Sequence, residues 1–307
     1  MCELQFLRHL SLAPGQHPTG RLHLSAASAL VRCAGHLYVV ADDELHLGVF
    51  AEGDAVPGQL LRLFAGELAQ DKAERKAQKP DLESLALLPA MPGYPHGALL
   101  ALGSGSKPNR QQAVLLMLDA QGVVQGAPRL IDLAPLYRPL HAQFADLNIE
   151  GAFLLGQHFV LLQRGNQGQA ANAAVRFAWP ALQARLLGEQ AEAPAPDSMQ
   201  LLDLGELQGV ALGFTDGAAL ADGRWLFSAV AENTADSYQD GACLGAVIGL
   251  VEADGRVRRL ASLDGQWKVE GLAVQQRGEK LLLSLVTDAD DPQIAASLLA
   301  LELDLPS

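Results

Sequence analysis

Apolar residues in this chain come in short runs of five to eight, rich in valine, leucine and aromatics and bounded by Gly, Asp, Asn and Pro, a β-strand pattern. One phrase recurs: PDLESLAL (80–87), LNIEGAFL (147–154), ELQGVALG (206–213) and WKVEGLA (267–273), with SAASALV (25–31) as a weaker fifth copy. Aligned on Ala27, Glu83, Glu150, Gln208 and Glu270, the copies lie 56, 67, 58 and 62 residues apart. Running from Glu270 through the end of the chain and on from Met1 to Ala27 adds a comparable 64. Self-similarity at such a period marks a repeat architecture.

Each copy is followed by further apolar runs. In the second unit these are ALLALGS (98–104), AVLLMLD (113–119) and PRLIDLA (128–134), and the same succession recurs in the others. DG at 216–217, 222–223 and 254–255 and QG at 121–122 read as hairpin punctuation. The fifth unit ends after SLLALEL (297–303) with three strands, and LQFLRHLSL (4–12) fits the missing fourth. An N-terminal strand that completes the last sheet closes a ring and removes its open edge. The pattern therefore predicts an all-β fold: one five-bladed β-propeller over residues 1–307, of four-stranded blades. A six-bladed alternative would place a degenerate blade in the long second interval, around LYRPLHAQFADLN (136–148). DKAERKAQKPD (71–81) and WPALQARLLGEQ (179–190) carry helical character and read as decoration between strands.

Of 307 residues, 49% are hydrophobic and 19% charged, an ordinary globular composition, and the net charge is −13. A chain this acidic repels phosphate backbones, which argues against nucleic acid as a partner. Cys2, Cys33 and Cys243 form neither a disulfide framework nor a CxxC metal site. The first residues, MCELQFLRHLSLAPG, lack the form of a signal peptide, and no run approaches 18 apolar residues. The expectation is a reduced, cytoplasmic protein with no membrane partner.

In a propeller the first strand of each blade lines the axial channel, and the second strand returns to the face from which the first entered. The heads of first strands and the tails of second strands thus converge on one mouth. That reasoning assembles Glu83, Glu150, Gln208 and Glu270 with Asp42, Asp43, Ser104, Arg164, Asn166, Glu232, Asn233, Asp288 and Asp290. Three carboxylates aimed at one axis cannot all stay ionised and unpaired. One resolution is a divalent cation: an oxygen-only set, Glu83, Glu150 and Glu270, suits Ca²⁺ or Mg²⁺. Another is an ion-pair ring with Arg164, Lys268, Lys79, Lys107 and Arg110. A third is that the glycines after Glu150, Gln208 and Glu270 serve close packing at the axis.

Other signals carry less. GSGSKPNR (103–110) is not a P-loop, though its backbone, Lys107 and Arg110 could meet an anion. The eight histidines show no HExxH and read as surface or strand-end residues; no G-x-S-x-G elbow is present.

The phrases IEG (149–151) and VEG (269–271), with TDADDP (287–292), GSGSKPNR and QRGN (163–166), resemble an uncharacterised bacterial β-propeller family similar to the esterase-like, phytase-related and SdiA-regulated propellers. The resemblance spans essentially the whole chain. Phytase-like propellers bind calcium through mouth carboxylates, and related ones hydrolyse phosphate esters or lactones. On that resemblance Glu83, Glu150 and Glu270 match the calcium ligands, whereas Gln208 and Ala27 depart from the pattern. Two functions are therefore weighed. The favoured one is a non-catalytic propeller whose mouth binds a small molecule, a peptide or a divalent cation. The alternative is a Ca²⁺- or Mg²⁺-dependent phosphoesterase or lactonase. It would have Asp43 or Asp288 as base, and Arg164, Asn166, Lys107, Arg110, Gln208 and Lys268 around the ligand.

Overall fold

A strand that is apolar at every position, such as ALLALG (98–103), needs cover on both faces of its sheet. The computed structural model, which describes residues 4–53, 55–166, 171–232, 243–264 and 266–306, shows the source of that cover: five antiparallel sheets standing side by side in a ring. Strand β1 (Leu4–His9) comes first. Blade I is β2 (Ala27–Cys33), β3 (His36–Ala41), β4 (His46–Ala51) and β5 (Gln59–Arg62). Blade II is β6 (Leu82–Leu88), β7 (Ala98–Gly103), β8 (Gln112–Leu118) and β9 (Val124–Asp132). Blade III is β10 (Ile149–Leu155), β11 (His158–Gln163), β12 (Ala173–Ala178) and β13 (Ser198–Leu201). Blade IV has a two-residue β14 (Glu206–Leu207) ahead of β15 (Val210–Ala219), β16 (Trp225–Glu232), β17 (Cys243–Val251) and β18 (Val257–Asp264). Blade V is β19 (Val269–Arg277), β20 (Lys280–Thr287) and β21 (Ser297–Asp304), completed by β1.

Five apolar clusters fill the five seams between blades. Strand alternation divides one strand between two seams. In β7, Leu99 and Ala101 pack towards blade I, while Leu100 and Leu102 pack towards blade III. The innermost strands β2, β6, β10, β15 and β19 touch in ring order, and β19 returns to β2. The fold is the expected five-bladed β-propeller.

The long second interval is not a sixth blade. Its chain forms α2 (Ala134–His141), whose Tyr137 is fully buried and donates its hydroxyl to the Gly103 carbonyl at 2.8 Å. The other two helices among the described residues are α1 (Lys72–Gln78) and α3 (Trp179–Leu187), where helical character was expected. None of the described helices is long and apolar enough to cross a membrane.

Every innermost strand slips register by one residue near its start, leaving one residue bulged towards the axis: Ser28, Glu83, Glu150, Thr215 and Glu270. This corrects the sequence alignment at two places. In blade I the bulge is Ser28, one residue beyond Ala27. In blade IV it is Thr215, and Gln208 with Gly209 forms the tight turn joining β14 to β15, both at positive φ (54° and 80°). That is the two-residue hairpin geometry a Gln-Gly pair imitates when read as the head of a strand. The residue after the bulge packs against the next inner strand. A Cβ on Gly271 would lie 2.9 Å from Ala29 Cα, and one on Gly151 3.2 Å from Asp216 Cα. Close packing at the axis, one of the three expectations, holds at these two glycines.

β1 pairs antiparallel with β21, from Leu4 opposite Leu301 to His9 opposite Ser297. Deleting Leu4–His9 leaves β21 as an open edge. The expected outcome is a melting temperature lower by about 5–10 °C, with self-association on size-exclusion chromatography. An unchanged melting temperature and a monodisperse profile would show that β1 does not close the ring.

Candidate functional site

The converging strand ends meet as expected. Glu83, Glu150 and Glu270 at the bulges, and Asp42, Arg164, Asn166, Glu232, Asp288 and Asp290 at or just beyond the tails of second strands, line one cavity of about 90 Å³. Period-two alternation carries the residue two places before each bulge to the same mouth, which adds Asp81, Asn148 and Lys268. Asp81 and Asn148 escaped the sequence reading because it aligned single acids and did not apply that alternation.

Two ion-pair networks organise the mouth. On one side Arg164 approaches three carboxylates: Glu232 at 2.6 Å, Glu150 at 3.3 Å and Glu270 at 3.8 Å. Lys268 continues the network to Glu270 at 3.4 Å, Glu232 at 3.5 Å and Asp290 at 2.8 Å. Asn148 adds a bond from Nδ2 to Glu150 Oε1 at 2.5 Å. On the other side Lys79 pairs with Asp42 and lies 2.7 Å from Asp81. Asp81 Oδ2 also accepts from Arg110 Nη1 at 2.7 Å and from Ser104 Oγ at 2.5 Å. Asp81 sits at φ 58°, a left-handed conformation that costs a non-glycine residue about 1 kcal/mol, and these three partners hold it there.

Cations and carboxyls do not balance. Eight carboxyl groups line the cavity against the five cationic side chains Lys76, Lys79, Arg110, Arg164 and Lys268. Glu83 makes no ion pair among the described residues, and Asp288 accepts only the backbone N–H of Asp290, at 2.8 Å. Burial pushes Glu83 well above the usual carboxyl range, helped by the charges of Glu150, Asp81 and Asp42 against Lys79. Burial does the same to Asp288 despite Lys268, with the charges of Asp42 and Asp290 adding to the rise. Glu150 is pushed up to about 8 by burial despite Arg164, and Glu270 is raised by burial despite Lys268 and Arg164. Burial alone would also raise Asp81, but Lys79 and Arg110 overcome it and hold that carboxyl below its ordinary value. The mouth thus holds ionised and protonated carboxyls side by side, and the group titrates as one.

Other expected residues lie elsewhere. Gln208 is exposed in its turn and donates to the Leu244 carbonyl at 3.4 Å, and Lys107 lies outside the cavity lining. Asp43 turns from the mouth into the neighbouring clefts, 3.6 Å from Arg75 Nε, and burial with Asp42 and Glu44 pushes it up to about 6. Asn166 stays at the mouth and donates to Asp146 at 2.6 Å. Asn233 lies outside the described residues, as does Cys2. Two histidines read as surface or strand-end residues, His17 and His46, are buried around Glu44.

Three oxygen ligands that could share a metal are Asp42, Asp81 and Glu83, whose carboxylate atoms lie within 4.8 Å of one another. This set contains Glu83 of the expected trio. Glu150 and Glu270 instead face the Arg164 guanidinium. The oxygen-only chemistry fits Ca²⁺ or Mg²⁺, with Lys79 sharing two of the carboxylates.

Residues 23–303 match the family described as "Family of unknown function (DUF6929)", and the chain belongs to it. No curated protein matches the sequence. Among solved structures the chain is similar to a putative glycoside hydrolase from Parabacteroides distasonis, at 12% identity and TM-score 0.52, over 100% of this chain and 97% of that one. It is also similar to the α-L-arabinofuranosidase PaAbf62A from Podospora anserina, solved in complex with cellotriose, at 9% identity and TM-score 0.51, over 99% and 98%. At such identities the likeness shows the fold alone.

The raised carboxyls give folding a defined pH dependence. Between the ordinary carboxyl value of about 4.5 and about 8, the folded mouth holds protons that the unfolded chain releases. Stability contributed by this set therefore falls as pH rises through that window. Glu44 acts oppositely. Burial alone would raise it, but His17, His46 and Arg21 hold it down to about 2, so its contribution is lost as pH falls towards that value. In low-salt buffer without divalent ions, the melting temperature should peak near about pH 5 and fall by about 5 °C towards pH 8, with Glu150→Gln flattening the fall. A melting temperature that climbs from pH 5 to pH 8 would contradict the assignment.

Proposed function

We propose that this family member uses the axial mouth to bind a small cation, either a divalent metal ion or the ammonium group of a small organic molecule. The observation that carries this reading is the carboxyl surplus at Glu83 and Asp288: neither makes an ion pair among the described residues, and both have Asp42 as a charged neighbour. A cation arriving there displaces protons from groups that burial and neighbouring carboxylates push towards the protonated form. Lys79 already bridges Asp42 and Asp81, which leaves Glu83 and the Asp288 side of Asp42 to take the newcomer.

Calcium is the metal that the phytase-like resemblance favours, and Asp42, Asp81 and Glu83 are the residues that would hold it. A metal there supplies Lewis-acid chemistry, which is what hydrolysis of a phosphoester or lactone would draw on. The protein's own part is to fix the carboxylates: Lys79, Arg110 and Ser104 orient Asp81, and Arg164 pairs with Glu150 and Glu232. Binding is the primary reading. Divalent-dependent turnover of phosphoesters or lactones is the readout that would extend it to an enzyme.

Calorimetric titration with CaCl₂, MgCl₂ and, separately, small alkylamines tests the proposal. Affinity should rise with pH between 6 and 8, by up to about tenfold per unit for each proton displaced, with heats that depend on the buffer's ionisation enthalpy. Glu83→Gln should weaken binding at least about tenfold, the effect of losing one charge-assisted ligand. No saturable heat with any of the three probes, or equal binding by Glu83→Gln, would overturn the reading.

A further inference from the structure

On the same face, outward from the mouth, lies a second cleft of about 590 Å³, within the size range of small-molecule sites. It is reached under α1. A small cavity lined by Asp42, Lys79 and Asp288 of the mouth shares Asp43, Lys72 and Arg75 with the outer cleft. The two ends differ in charge. Where the mouth has surplus carboxyls, the outer cleft gathers Arg21, Arg62, Lys72 and Arg75 on a protein whose net charge is −13.

Two of these guanidinium groups are oriented by backbone carbonyls. Arg62 Nη1 donates to the carbonyls of Gly66 at 2.7 Å and Phe64 at 3.2 Å, and the side chain makes no ion pair among the described residues. Arg75 Nη1 donates to the carbonyls of Gln70 at 2.9 Å and Ala69 at 3.4 Å. Its one carboxyl neighbour is Asp43, 3.6 Å from Nε. Carbonyl oxygens fix the planes of both forks, and Arg62 keeps its charge for an anion, the bidentate chemistry for which arginine is suited.

The acids lining the cleft leave Arg62 without an ion pair among the described residues. Glu44 is committed within the wall: His17 Nε2 and Arg21 Nη2 each lie 2.7 Å from its Oε1. Asp43 is partly buried and crowded by Asp42 and Glu44. Glu67 stands exposed on the rim. His46 is buried in the wall, and its Nδ1 has no hydrogen-bond partner among the described residues, with Glu44 Oε2 at 3.6 Å. Between the charges the wall is apolar, with Pro18, Leu45, Leu68 and Pro292.

We propose that the outer cleft is a binding site for a small organic anion, a carboxylate or a phosphate monoester with an apolar body, anchored by Arg62 and Arg75. Arg62 and Arg75 lie outside the lining of the axial mouth. The test is calorimetry on the full chain with phenyl phosphate, benzoate and inorganic phosphate as probes. Phenyl phosphate or benzoate should bind saturably. Arg62→Gln and Arg75→Gln should each weaken it at least about tenfold, and Glu83→Gln should leave it within about twofold. Binding by phenyl phosphate alone assigns the site to phosphate monoesters, and binding by benzoate alone to carboxylates. Inorganic phosphate should bind at least about tenfold more weakly than phenyl phosphate, and parity would overturn the apolar-body part of the proposal. No saturable binding by any probe, or binding unaltered in both arginine variants, would overturn the whole. Arg62 is exposed, so Arg62→Gln keeps the test decisive even if Arg75→Gln loosens the segment it holds.

Discussion

Closing five sheets into a ring forces the heads of all five innermost strands to share one axis. The register slip near each start then decides what stands there: Ser28 and Thr215, which are neutral, and Glu83, Glu150 and Glu270, which are not. Arg164 makes that crowding tolerable by placing one guanidinium among Glu150, Glu232 and Glu270. Removing one member of such a buried network while leaving its partners costs about 3–5 kcal/mol, because the remaining charges have no solvent to turn to. The axis is thus a place where the fold imposes an electrostatic problem and side chains answer it locally.

The source of stability lies elsewhere. Five apolar seams, each filled from two blades, hold the ring together. Buried ion pairs add little net stability, since desolvation offsets their attraction. Helix α1 shows the difference: it buries none of its residues, and polar contacts hold it in place. Lys79 reaches Asp42 and Asp81, Arg75 reaches Asp43, and Asn109 and Arg110 donate to carbonyls along the helix and at its end. An element attached by charges responds to the charge state of what it covers.

The blades were legible in the sequence because each is covered on two sides, so its central strands are apolar at nearly every position and stand out against their turns. The borrowed N-terminal strand was legible from the count of runs alone. Register at the axis was only partly legible. IEG and VEG head inner strands, whereas QG at 208–209 has the same look but makes a hairpin, and the true counterpart is Thr215 in GFTDG. Telling them apart needs backbone φ, which a pattern of apolar residues does not encode. DKAERKAQK mixes signs along the chain, yet on a helix Lys72, Arg75, Lys76 and Lys79 follow i, i+3, i+4, i+7 spacing and line the groove together. His17 gave no signal because Glu44, the partner that explains its burial, is 27 residues away.

The pairing of β1 with β21 joins Leu4 to Leu301, nearly the full length of the described chain. During vectorial synthesis β1, made before the other strands of the ring, is therefore the last of them to find its neighbour. Blades I to IV can form from contiguous sequence as they emerge, but the fifth waits for β21 to be made. Such a long-range pairing makes ring closure a slow, late event of folding, and until then β1 and the fifth blade each carry an unsatisfied edge.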